Sequence, residues 1–197
     1  MTSEPVLPAG HSPVPLTETV LVDGKPVLTL KELVSPSIHT LIVGINPPPP
    51  AVAVGHYYQG RLGRQLWRCM RVAGIGNLLE SDRGQEDSVL FHQGFGFMDL
   101  VRRPTARASQ LRSDEWRQGG DSLIQRVAAL ACRPCVVMVY KSVADITGGR
   151  FRELGYRTFT IGCNQRRFRE ERFHELAFWL HCNALPMPTA IDLPVNG

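Results

Sequence analysis

Lysine is nearly missing from this chain of 197 residues: Lys25, Lys31 and Lys141 are the only ones among 22 basic side chains. Almost all the positive charge therefore sits on arginine, the side chain suited to bidentate phosphate contact and stacking; a high-GC coding bias accounts for the same preference. Cysteine is sparse and odd in number, at positions 69, 132, 135, 163 and 182, a poor basis for a secreted disulfide framework, and the five are read as thiols. Cys132 and Cys135 have redox or metal spacing, but no second Cys pair or His pair accompanies them, so they are read as structural. No run approaches the roughly 20 apolar residues of a membrane span. Met1 to Gly10 also lacks a basic region followed by an apolar stretch. The expectation is a cytoplasmic protein, nucleoid-associated if bacterial, with no membrane partner. His92, His174 and His181 have no partners at ligand spacing, so no metal site is expected from them.

The chain that remains is 43% hydrophobic and 20% charged with a net charge of +4, the balance of a globular protein and one compatible with a polyanionic partner. At this length one core buries roughly 70% of the unfolded surface. Residues 1–18 are proline-rich and read as a tail. Residues 19–38 read as an appendage, with a hairpin around Asp23-Gly24 and a short helix over Leu30 to Val34 capped by Thr29. Residues 39–182 form the domain, and residues 183–197, punctuated by Pro186, Pro188 and Pro194, form a second tail. Within the domain, Thr40 to Val43 and Cys135 to Tyr140 have the continuous apolar pattern of strands buried on both faces, and Arg157 to Ile161 reads as a further strand. Arg64 to Ala73, Asp114 to Leu130 and Glu170 to Leu180 carry apolar residues at helical spacing. Strands alternating with helices predict a three-layer α/β/α fold with a central, mainly parallel sheet, whose ligands bind beyond the carboxyl ends of the strands.

The loop after the first buried strand is Gly44-Ile45-Asn46 followed by Pro47 to Pro50, then, after Ala51 to Val54, Gly55-His56-Tyr57-Tyr58. Prolines stiffen it and present Asn46 on a rigid support; a proline-rich surface turn is the bland alternative. Gly44-Ile45-Asn46-Pro47, Gly55-His56-Tyr57-Tyr58, Trp67-Arg68-Cys69 and Ala73-Gly74-Ile75 together resemble the first motif of the mismatch-specific uracil/thymine DNA glycosylases, within the uracil-DNA glycosylase superfamily. The block from Gly94 to Thr105, with Asp99-Leu100-Val101 and Arg103-Pro104-Thr105, resembles the family's second motif, with Met98 in place of the usual Thr. The paired Gly119-Gly120 and the strand that follows fit as well. The likeness runs from about Leu33 to Leu180.

What the resemblance implies is a monofunctional enzyme that hydrolyses the N-glycosidic bond of uracil, or of thymine or another damaged base, after flipping it out of mismatched or damaged double-stranded DNA. A monomer without cofactor is expected. In that reading Asn46 or Asp99 activates water. Gly44, Ile45, His56 and Tyr58 bind the substrate, Tyr58 by stacking on the base. Asn164, Gln165, Arg166 and Arg167 contact DNA, within an arginine-rich stretch from Arg150 to Arg172. Two departures stand out. Pro48 replaces the glycine that usually follows Asn-Pro and brings no N–H. The family's Pro-Ser loop corresponds here to Ile161 to Arg167, without Pro-Ser. Both departures support an alternative, a DNA-binding protein of glycosylase fold with weak or no excision.

Overall fold

The computed structural model describes residues 16–163 and 167–183. Its first element is a hairpin of β1 (Thr17–Val22) and β2 (Lys25–Leu30), paired from Thr17 with Leu30 to Val22 with Lys25. Asp23 and Gly24 both have positive φ, 49° and 73°, the combination that a two-residue turn needs to match strand twist. The domain continues with β3 (Thr40–Gly44), α1 (Pro49–Val54), α2 (Arg61–Val72), α3 (Glu86–His92), β4 (Phe95–Asp99), α4 (Ser113–Ala128), β5 (Cys135–Tyr140), α5 (Lys141–Glu153), β6 (Thr158–Cys163) and α6 (Glu170–Asn183).

β3 to β6 form one parallel sheet in the order β4-β3-β5-β6. Side chains alternate across it. Ile42, Phe97, Val137 and Val139 pack on one face with Leu66 and Trp67 of α2 and with Phe173 and Leu176 of α6. Leu41, Val43, Met98, Val136 and Met138 pack on the other with Leu123 and Val127 of α4 and with Val143 and Phe151 of α5. All five residues of β3 are buried, as an inner parallel strand covered by helices on both faces must be. The architecture is the three-layer α/β/α expected.

Several local expectations differ. The segment from Leu30 to Val34 is not a helix: Leu30 ends β2, and Leu33 forms an antiparallel bridge with Phe97 of β4. Its N–H and C=O both pair with Phe97, at 3.0 and 2.9 Å. Sheet pairing across the edge satisfies more backbone than one helical turn could. Thr29 caps nothing; its hydroxyl donates to the Arg102 carbonyl at 2.6 Å, while Arg102 pairs with Glu18 at 2.7 Å. Leu30 is buried in the larger core, so the hairpin is seated on the domain at the edge strand. Ala51 to Val54 belong to a short helix, α1, which starts on Pro49 and Pro50, where the missing N–H groups are not needed.

β4 carries no strand signal beyond its motif, which suggests a loop around Asp99; Asp99 is instead the strand's last, buried residue. Glycines at 94 and 96 hide the strand pattern. Gly96 is demanded by crowding: a Cβ there would lie 2.7 Å from Ile38 Cδ1 and 2.9 Å from the Leu33 carbonyl oxygen. α3 and α5 carry no strong apolar stripe, so periodicity does not reveal them.

Candidate active site

The carboxyl ends of β3, β4 and β5 meet around a cavity of about 570 Å³. Chain order reverses between β3 and β5, since β4 lies on the other side of β3, and such a reversal opens a crevice at the strand ends. The loops after β3 and β4 stay joined beyond the sheet. Leu100 donates to Gly44 at 3.1 Å, Val101 to Ile45 at 2.8 Å and Thr105 to Pro47 at 3.3 Å.

This joining holds Asn46. Its Nδ2 donates to the Arg103 carbonyl at 3.0 Å and to Thr105 Oγ1 at 2.8 Å, and Thr105 Oγ1 in turn donates to the Arg107 carbonyl at 2.9 Å. A carbonyl can only accept, so the amide orientation is dictated: Nδ2 faces the β4 loop and Oδ1 is left as an acceptor. Asn46 lines the cavity.

Asp99 lines it too, 6% exposed. Burial raises its pKa to about 7, against the opposing pull of Arg102. Beneath it, Gly44 keeps the space clear. A side chain there would overlap the Asp99 carboxylate and come within 3.0 Å of the Tyr58 hydroxyl, so the site needs no substituent at position 44.

Tyr58 is half-buried and lines the cavity in the left-handed region, φ 54°. Its ring meets Trp67 edge-on at 5.6 Å and Phe97 at 6.4 Å. Its hydroxyl is buried with no hydrogen-bond partner among the described residues. Burial first, then the Asp99 charge, pushes its pKa up. The strained backbone is held from two directions. Gly63 of α2 lies directly against the Tyr58 carbonyl, which any Cβ would overlap. Asp87 of α3 accepts the Tyr57 N–H at 2.7 Å. His56 does not line the cavity; its Nδ1 lies 2.9 Å from Asp87 Oδ1, and that hydrogen bond raises its pKa against the effect of burial. The structure thus places His56 behind the site, steadying Asp87.

Tyr140, the last residue of β5, is a cavity residue that sequence reasoning misses. Its position at the end of a buried strand is the available signal. Burial raises its pKa, with Cys163 and Asp99 adding to the effect. Arg61 and Arg107, both exposed, also line the cavity.

Asn164, Gln165 and Arg166 lie outside the described residues. Arg167 is described and exposed. The arginine-rich stretch does not act as one patch. Arg150 and Arg152 end α5, which runs back from the cavity end of β5, and Arg150 pairs with Asp121. Arg157 immediately precedes β6, at the same far edge. Arg172 is occupied by the carbonyls of Thr160 and Ile161 and by Glu175. No group of three or more His, Cys, Asp or Glu side chains is placed to hold a metal ion among the described residues, and among them no helix is long and apolar enough to cross a membrane.

A parallel α/β/α sheet with an acceptor amide, a buried carboxylate and tyrosines gathered at its carboxyl edge defines an α/β protein with a ligand site at its topological switch point. Residues 32–187 match the pattern of the Uracil DNA glycosylase superfamily, and the chain belongs to that superfamily. The fold is similar to the solution NMR structure of a presumptive uracil DNA glycosylase from Methanosarcina acetivorans, with a TM-score of 0.53 and 21% identity over 78% of this chain and 97% of that one. Superfamily membership supports DNA glycosylase function, the hydrolysis of an N-glycosidic bond in DNA repair.

Proposed function

We propose that the protein is a monofunctional, mismatch-specific DNA glycosylase that flips uracil, or thymine, out of a mispaired duplex and hydrolyses its N-glycosidic bond. Extrusion favours mispaired bases because their unstacking and unpairing cost is least. The observation that carries this reading is the pairing of two unlike groups in one cavity: Asn46, whose Oδ1 is aimed by the anchoring of its Nδ2, and the buried carboxyl of Asp99.

Asn46 accepts a hydrogen bond from the attacking water and orients it; an amide cannot take the proton. Asp99, when ionised, accepts that proton and steadies the positive charge that develops on the sugar, as carboxylates do in glycoside hydrolysis. The base lies against Tyr58, with Gly44 and Ile45 bordering it. Main-chain N–H groups near Ile45 and Asn46 take up the charge on departing uracil. Asn164, Gln165, Arg166 and Arg167 are proposed to contact the duplex near the extruded nucleotide.

Single-turnover excision from a G·U duplex between about pH 4 and 9 tests the division of labour. The wild-type rate is expected to rise through about pH 7, the point at which Asp99 ionises. Asp99→Asn is expected to flatten that profile and lower the rate by roughly 10² to 10⁴, the range for general acid–base groups. Asn46→Ala is expected to slow excision at every pH while keeping the inflection. If both variants work nearly as well as the wild type, the site is elsewhere. A duplex bound tightly and never cut overturns the enzymatic reading in favour of a binding module.

A further inference from the structure

Asp99 is buried, and its carbonyl needs a donor that the sheet does not supply. β4 is an edge strand, and the N–H and C=O of Phe97 turn outward to Leu33 at the antiparallel bridge. Alternate residues of a strand face the same edge, so Asp99 turns outward as well. Continuing the antiparallel register from that bridge would set Lys31 opposite Asp99, but the Lys31 N–H donates to the Leu16 carbonyl at 2.7 Å. A side chain takes the open place. Arg126, near the end of α4, donates from Nη2 to the Asp99 carbonyl at 2.9 Å and to the Leu100 carbonyl at 3.4 Å.

Two features bring Arg126 there. Gly119 lies about two helical turns earlier and so on the same face of α4. A Cβ at Gly119 would come within 2.8 Å of the Leu100 carbonyl oxygen, so the missing side chain lets the helix approach the chain beyond β4. Glu32, beside the bridge residue Leu33, forms an ion pair with Arg126 Nη1, and the two side chains are only 14% and 20% exposed. Burial lowers the Arg126 pKa to about 10, which leaves it a cation at neutral pH. Removing either partner would leave the other charge buried alone.

We propose that Arg126 and Glu32 are positioning residues for glycosidic hydrolysis: Arg126 holds the main chain of Asp99 from behind, which fixes the carboxyl beside Gly44 and Tyr58, and Glu32 holds Arg126. The proposal rests on the glycosylase reading above and on the part Asp99 plays in it. Neither side chain lines the cavity, so both act through Asp99. The groups that act on the carboxyl itself are others. Arg102, from the loop after β4, opposes the rise in its pKa. Tyr57, Tyr58 and Tyr140 sense its charge from the neighbouring elements, and burial keeps all three un-ionised; β3 presents Gly44, which carries no charge. The two arginines are therefore separable: Arg102 sets the pH at which Asp99 ionises, and Arg126 sets where Asp99 stands.

The test is single-turnover release of uracil from a G·U duplex by the full chain between about pH 4 and 9. Folded enzyme is kept in saturating excess, so that the rate constant does not depend on the fraction folded. Arg126→Met is expected to lower the plateau reached above the inflection by about 10 to 10², the scale of a misplacement near 1 Å. On that plateau Asp99 is fully ionised, so a shifted pKa cannot imitate the loss. Arg126→Lys, which keeps the charge and a donor, is expected to recover part of it, and Glu32→Gln to lower the plateau less than Arg126→Met does. Arg102→Met is expected to move the inflection to higher pH. A merely structural role would lower the melting temperature of Arg126→Met and leave its plateau at the wild-type value; that result overturns the proposal while the glycosylase reading stands. If Arg126→Met does not fold, Glu32→Gln decides, and a wild-type plateau there overturns the proposal equally. No release of uracil by the wild type overturns both readings.

Discussion

Asp99 and Tyr58 place a carboxyl and a hydroxyl without a partner among the described residues in the same buried corner, and each is held there at the expense of stability. The Asp99 carboxyl has a folded pKa of about 7 against an ordinary value of 3.8. A raised pKa means that folding favours the protonated form. The associated stability is fully present below 3.8 and is lost as pH rises through 7. Asp99→Asn is therefore expected to leave the melting temperature nearly unchanged at about pH 4 and to raise it at about pH 8, where the wild type carries a buried charge. Thermal melts of both proteins across pH check this, and a lower melting temperature at high pH would contradict it. Tyr58→Phe removes a hydroxyl that is buried with no partner among the described residues. Such groups cost about 1 to 3 kcal/mol, so the variant is expected to melt higher. Excision by the same variant reports whether that hydroxyl serves the substrate.

At the scale of elements, the site depends on helices that hold it from behind. α2 brings Gly63 against the Tyr58 carbonyl, and α3 brings Asp87 under Tyr57 and His56. Gly63→Ala would force a Cβ into that carbonyl; displacement of Tyr58 is expected to reduce excision strongly, with a loss of stability of the few kcal/mol typical of overpacking. Activity and melting temperature of one preparation measure both. His56 behaves differently because its partner is charged. Its folded pKa is raised above 6.5, so its pairing stabilises the protein fully below 6.5 and fades as pH rises through the folded value. His56→Gln is expected to be most destabilising in mildly acidic buffer and to approach the wild type in alkaline buffer. A difference that does not vary with pH would remove the charged pair from the explanation.

Considered whole, the molecule gathers three strand ends, a stiff proline loop and exposed arginines on one edge of its sheet. DNA would approach that edge, where Arg61 and Arg107 line the cavity and Arg167 follows β6. Anisotropy titrations of a duplex over about 50 to 200 mM salt are expected to show steep weakening. Replacing Arg61 and Arg107 together by alanine should reduce the slope by about one unit for each phosphate that is no longer neutralised. Alanine at Arg150 and Arg152, at the far end of α5, is expected to leave the slope unchanged. Equal effects from both pairs would mean that net charge, and not this edge, governs binding.

The amino-acid sequence alone determined the layers: the apolar runs at 40–43 and 135–140 suit strands buried on both faces, and 3.6-residue periodicity marks the covering helices. The stiff proline loop marked Asn46, and the resemblance carried by the two motif blocks marked Asp99 and Tyr58. The sequence did not reveal β4, in which Gly96 interrupts the apolar run that identifies a buried strand, nor α5, which lacks a clear apolar stripe. Tyr140 and Gly63 were silent for another reason. Their importance arises from what lies opposite them, a cavity built by three strands and the carbonyl of Tyr58 in the preceding loop, and local pattern carries no such information. Only the tertiary structure moved His56 from the substrate to the back of Tyr57 and split the arginine stretch between two ends of the sheet. A helix crossing from one strand to the next reverses direction, so residues close in sequence can finish at opposite edges of the molecule.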